Sequence, residues 1–194
     1  MQKDADYLYS LRKYILAVTG IFIFFLIIGV QVSLTNPEKS ASYIELFKKT
    51  FGWITQLDPF ERMLAIFKNN AFNSLMALVL GIGFGFVPFF LVAVNGLFLG
   101  MVAETFSTEK GILFVLAAVL PHGIIELPMV LLSAAIGLRL GYEMFRFLKG
   151  ERTNLKMEFM QGMWFYLVRI APLLFVAAVI ESYVTPVIAR FFSG

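Results

Sequence analysis

Residues 111–138 read GILFVLAAVLPHGIIELPMVLLSAAIGL, and this stretch decides the fold. Outside its central octet, Pro121-His122-Gly123-Ile124-Ile125-Glu126-Leu127-Pro128, it carries no charge. About 20 apolar residues suffice to cross a hydrocarbon core. The chain's only histidine, with a glutamate four residues on, therefore falls at a depth that reads as bilayer interior. An ionisable group there costs about 2.5–3.5 kcal/mol even on the gentler insertion scales, so it is paired, lines a cavity or performs a function. Pro121, Gly123 and Pro128 weaken helical continuity and predict a break at Pro121–Gly123.

Working outward, the same apolar character fills most of the chain. Hydrophobic residues make up 59% of it, and the mean hydropathy is +0.81. A soluble domain holds roughly 45–50% apolar residues, so the reading is an all-α, polytopic helical membrane protein. Alternating strands of the outer-membrane barrel kind are absent from the pattern. The net charge of +3 is scattered over several connections and forms no nucleic-acid patch. There is no cysteine, which excludes disulfides and thiolate chemistry.

Five spans are expected over a single transmembrane domain, residues 1–194. The first is Tyr14 to Leu34, overlong for a cleavable leader and without a small-x-small cleavage site. Residues 35–70 form an interfacial connection, where Tyr43, Ile44, Phe47, Phe51 and Ile54 recur at helical spacing opposite Glu45, Lys48 and Lys49. Asp58-Pro59-Phe60-Glu61 reads as a helix start. Gly81, Gly83, Gly85 and Pro88 divide the next apolar run into Ala71–Gly85 and Phe86–Phe106. The fourth span covers 111–140, residues 142–161 are a charged connection, and Trp164 to Thr185 is the fifth span, with Pro172 as a kink. In an alternative arrangement, residues 111–120 and 122–138 form a re-entrant pair. Basic residues divide almost evenly between the two sides. The dense cluster from Arg139 to Lys156 tips the orientation toward a cytoplasmic N-terminus and an outer C-terminus in a cell membrane.

The polar residues inside these spans are the candidate site: His122, Glu126, Arg169, Asn95, Asn73 and Glu181. His122 and Glu126 share a helix face at their spacing of four. They suit a proton relay or solute gate, or else they tie a helix break together. A catalytic zinc takes three protein ligands; with no second histidine or cysteine, and Glu181 joining only by assumption, neither metal nor other cofactor is expected. Arg169 lies about 18 Å from Glu181 along a straight helix, so it needs another partner; Glu126 is the expected one, with headgroup snorkelling as the alternative. Asn69 and Asn73 share a face, and amides of this kind join neighbouring spans by hydrogen bonds. Gly81 and Gly85, Gly96 and Gly100, and Gly137 and Gly141 are small pairs that permit close helix approach, within the chain or in a homo-oligomer such as a dimer. No phosphate loop, nucleophile–base pair or pair of catalytic carboxylates is present, so no enzyme is expected.

Taken in order, Asn69-Asn70, Asn95-Gly96 with Gly100, the octet 121–128, Gly137 with Gly141, and Arg169, Pro172, Glu181 and Pro186 resemble the stage II sporulation protein M family over nearly the whole chain. The resemblance implies a multi-span membrane protein without catalytic activity. The member from spore formers helps anchor wall-degrading partners at the engulfing membrane. Two functions follow as expectations. One is a membrane scaffold that takes a protein partner through 35–70 or 142–161. The other is a permease or channel for an ion or small polar solute. An intramembrane hydrolase built on His122 and Glu126 stands well behind both.

Overall fold

The computed structural model describes residues 2–192; residues 1, 193 and 194 of the expected domain lie outside them. Five helical stretches are long and apolar enough to cross a membrane: Asp4–Thr35, Pro59–Ile82, Phe86–Lys110, Ile112–Leu148 and Leu155–Arg190. No strand occurs among the described residues. The expected all-helical, five-span membrane fold is what the chain adopts.

The first span is helix α1, Gln2–Thr35. Helix α2, Pro37–Phe51, follows after Asn36 and runs into a short 3-10 turn, Gly52–Gln56. Its apolar side reaches helix α4, Phe86–Lys110, where the Phe47 and Phe98 rings meet at 4.3 Å. Ser33 and Ser40 both lie within hydrogen-bond reach of Thr105, at 3.0 and 3.3 Å, and so tie α1, α2 and α4 together. Helix α3, Pro59–Val79, starts where the Asp58-Pro59 signal places it. The Asp58 carboxylate accepts from the amides of Phe60 and Glu61, occupying donors that no helical carbonyl can reach. Residues 59–70, expected in the interfacial connection, thus belong to α3. A tight turn then leads into α4, with Phe84 (φ 59°) and Gly85 (φ 76°) in left-handed conformation.

Helix α5, Ile112–Leu148, corrects the expected break. It passes through Pro121, Gly123 and Pro128 without interruption, so neither a broken helix nor a re-entrant pair forms. Each proline forfeits one backbone hydrogen bond, and apolar packing along the rest of the helix holds it together. α5 also extends beyond the expected 140, leaving only residues 149–154 as the connection. Charges in that region pair with one another: Arg146 with Glu143 and Glu151, and Arg139 with Glu158 at 2.6 Å.

The irregular backbone sits instead in the fifth span. Helices α6 (Leu155–Phe165), α7 (Ala171–Val179) and α8 (Thr185–Arg190) are joined by two wide π turns, Tyr166–Ile170 and Ile180–Val184. Each π turn ends two residues before a proline, Pro172 or Pro186. Proline cannot donate to the carbonyl four residues back, and a wider turn re-pairs the backbone there. The amide of Ala171 reaches the Tyr166 carbonyl, and that of Thr185 reaches Ile180.

Glycine sets the packing. A Cβ on Gly96 would meet the Phe22 carbonyl at 2.6 Å, and one on Gly100 would overlap the Leu26 backbone, so α1 and α4 touch main chain to main chain. Gly81 lies against Gly137, and Gly141 against Gly85, which docks the α3–α4 turn on α5. All six predicted glycines are used inside the chain, which removes them as the basis for a dimer. Leu11, Val18, Leu78, Ile136, Leu140, Ile170 and Leu174 fill the space these contacts enclose.

Candidate functional site

Because α5 is continuous, His122 and Glu126 do lie one above the other on one face. Facing them, the π turn Ile180–Val184 and the start of α8 present Glu181 and Thr185. One ligand atom from each of His122, Glu126 and Glu181 falls within 4.8 Å of the other two. His122 Nδ1 lies 3.2 Å from Thr185 Oγ1, a contact spanning 63 residues of sequence. Two pairs at a spacing of four, one on each span, thus close into a single cluster. No ion pair joins Glu126 or Glu181 to a basic side chain among the described residues.

The cluster borders a cavity of about 560 Å³ that mixes polar and apolar side chains. Asn69, Asn70 and Asn73 of α3 and Asn95 of α4 line its walls, together with Thr55 and Arg62 near the α2 side. Arg62 Nη2 donates to the Thr55 and Leu57 carbonyls at 2.9 and 3.0 Å and fixes the loop that edges the cavity. A second, mostly apolar cavity of about 570 Å³ lies between α4 and α5. Asn95, Phe98, His122 and Glu126 border both.

Five of the six predicted polar residues, His122, Glu126, Asn73, Asn95 and Glu181, therefore gather around one cavity, but their bonding differs from expectation. Asn73 donates to Asn69 at 3.3 Å, and Asn95 donates to the Leu91 carbonyl at 2.7 Å. Both bonds stay within one helix, so the amides face the cavity rather than bridge spans. Bridging falls to Tyr166, whose hydroxyl donates to the Ala71 carbonyl at 2.6 Å and sits 3.4 Å from Ser74 Oγ.

Arg169 is not in the cluster, contrary to expectation. Its guanidinium holds Asp4 Oδ2 at 2.5 Å from Nη2 and 3.1 Å from Nε, at the opposite end of the bundle from α2. The physical reason is length: Arg169 precedes Glu181 by 12 residues, about 18 Å of helix, and the nearer acid belongs to the start of α1. Glu181, predicted as a member of the site, is the side chain that meets Glu126 in place of Arg169. Sequence reasoning missed Thr185. The repeated spacing of four, His122 to Glu126 and Glu181 to Thr185, was the available signal, but only the packing of α8 on α5 makes it meaningful.

Fold and site together define a class: a multi-span helical membrane protein with a cavity bordered by ionisable side chains of two spanning helices. The model of the Stage II sporulation protein M family matches residues 16–186, and the chain belongs to that family. Two proteins of Methanocaldococcus jannaschii are similar to it. The uncharacterized protein MJ0793 is 31% identical over 130 residues, 66% of this chain and 72% of that one. The uncharacterized protein MJ0706 is 33% identical over 131 residues, 66% of this chain and 58% of its own length. The chain therefore spans under two thirds of the second relative. No solved structure matches.

Proposed function

We propose that this protein is a non-enzymatic permease or channel component that admits a cation or small cationic solute to the cluster of His122, Glu126 and Glu181. The observation that carries the reading is the cavity, bordered by four asparagine amides and by two carboxyl groups that make no ion pair among the described residues. Two carboxylates this close repel when both are ionised, so a low-dielectric site holding them calls for a proton or cation between them. Amide walls suit a solute that has shed part of its water, because their oxygens replace lost hydration. Orientation follows the basic cluster from Arg139 to Lys156, with the N-terminus cytoplasmic and the cavity open toward the outside of a cell membrane. A homo-oligomer, a dimer in the simplest case, would complete a path that five spans leave short.

Flux into liposomes loaded with purified protein tests this. Glu126→Gln should abolish cation uptake while leaving the protein's elution volume and helicity unchanged. A flux untouched by that substitution would remove the cluster from the path.

A scaffold or anchor for envelope-associated partners is the second reading. The observation favouring it is the exposed apolar side of α2 and the turn after it: Tyr43, Leu46 and Trp53 are all more than half exposed. Cross-linking through p-benzoylphenylalanine at position 46 or 53 in native membranes should then trap a stoichiometric protein partner. Adducts to lipid alone count against it.

A further inference from the structure

We infer that His122, Glu126 and Glu181 form a binding site for a divalent first-row transition cation, of the Zn²⁺ and Co²⁺ kind. This deepens the cation reading above by naming the class of ion, and its failure is separable from failure of transport.

Geometry and donor chemistry carry the inference. Three protein ligands at bond lengths of about 2.0–2.2 Å lie about 3.3 Å apart in a tetrahedral site, with a fourth position left to water or a passing ligand. The three donor atoms here lie within 4.8 Å of one another, close to that spacing before any ion draws them in. A purely acidic cluster would suit Mg²⁺ or Ca²⁺; the imidazole moves the preference to transition ions.

A second observation points the same way. Metal-bound imidazoles characteristically engage their other nitrogen with an oxygen acceptor, which sets the tautomer and the ring orientation. Thr185 Oγ1 is such an oxygen, 3.2 Å from His122 Nδ1 and buried. In the tautomer whose Nδ1–H donates to Thr185, Nε2 keeps the lone pair that a cation would take. Access is provided by the amide-lined cavity. Arg62, the basic side chain bordering that cavity, is held by the Thr55 and Leu57 carbonyls. It precedes Asn69 and Asn73 on α3 by about 10 and 16 Å of helix, so its charge sits toward the entrance and not in the cluster.

Both carboxylates and one neutral imidazole give a formal charge of −2, which a divalent ion cancels. Neutralisation of this kind is what a half-buried pair of acids on membrane-spanning helices otherwise lacks.

The test uses the full chain in detergent, freed of any purification tag because a tag would add histidines to a protein that has one. After chelator treatment and dialysis, Co²⁺ is titrated and its visible absorption followed. One equivalent should bind per chain, be displaced by Zn²⁺, and resist excess Mg²⁺. His122→Gln and Glu181→Gln should each abolish the absorption. Thr185→Val should keep the stoichiometry but weaken affinity about 10–100-fold, and Thr185→Ser should restore it. Absence of Co²⁺ binding by the folded wild type overturns the inference. So does binding unchanged in Glu181→Gln, or displacement by Mg²⁺ as readily as by Zn²⁺. Liposome flux of another cation without Co²⁺ binding sinks the metal site and spares transport. Co²⁺ binding without flux sinks transport and spares the site.

Discussion

Two arginines show how position decides what a charge is worth. Arg169 and Asp4 meet at 2.5 Å, but the Arg169 side chain is 46% exposed. Water screens such a pair, and exposed ion pairs typically contribute about 0.2–1 kcal/mol. Arg139 and Glu158 meet at 2.6 Å with side chains only 17% and 15% exposed, and Arg139 also donates to Ser10 at 2.6 Å. Removing one partner of a fully buried pair strands the other at about 3–5 kcal/mol, and this half-buried pair falls between that figure and the exposed one. Arg139→Met should therefore destabilise the protein several times more than Arg169→Met. Thermal unfolding in detergent, with Glu158→Gln and Asp4→Asn completing two double-mutant cycles, measures both couplings. Equal couplings would contradict the burial argument. Neither pair touches the cluster, so cation binding should survive Asp4→Asn.

At the scale of elements, backbone proximity and backbone irregularity divide the labour. Glycine lets α3 and α5 approach until main chain meets main chain, and a Cβ at Gly137 would overlap the Ala77 carbonyl. Forcing extra atoms into such a contact costs about 1–3 kcal/mol. Gly20 offers the control, since a Cβ there meets nothing within 4 Å. On a lipid-facing helix interior, Gly20→Ala should be neutral or stabilising by up to about 1 kcal/mol through helix propensity. Gly137→Ala should lower the midpoint of thermal unfolding in detergent, and Gly20→Ala should hold or raise it. The opposite order would mean that the α3–α5 contact is looser than described. The π turn before Pro186 acts differently, setting Glu181 and Thr185 against His122 without breaking α5.

For the whole molecule, what can be read from one chain depends on how local its cause is. The spans were legible because hydropathy over 20 residues is a local quantity, and the division near Gly81–Gly85 because turn residues act where they stand. The break predicted at Pro121–Gly123 failed because tertiary packing supports a helix through two prolines, while the irregular turns fell at Tyr166–Ile170 and Ile180–Val184. His122 and Glu126 were legible as a pair. Glu181 was legible as a member of the site, but not that it, rather than Arg169, meets Glu126, because that contact joins residues more than 50 apart in sequence. The resulting topology makes a global prediction. Asp4 with Arg169, and Lys13 over the Tyr142 ring, place the N-terminal end of α1 beside the end of α5 and the 149–154 connection. Five crossings put α2, the α4–α5 junction at Gly111 and the end of α8 on the other side. Having no cysteine, the protein accepts single reporters without background. Cysteines replacing Gln2 or Asn154 should react with a membrane-impermeant maleimide from one side of sealed vesicles, and those replacing Trp53 or Gly111 from the other. Asn73→Cys, on the cavity wall, should react more slowly than Trp53→Cys but from the same side, and Zn²⁺ should protect it if the ion seats beneath it. Labelling of Asn73→Cys from the Asn154 side would invert the cavity, and with it the direction from which the cluster is reached.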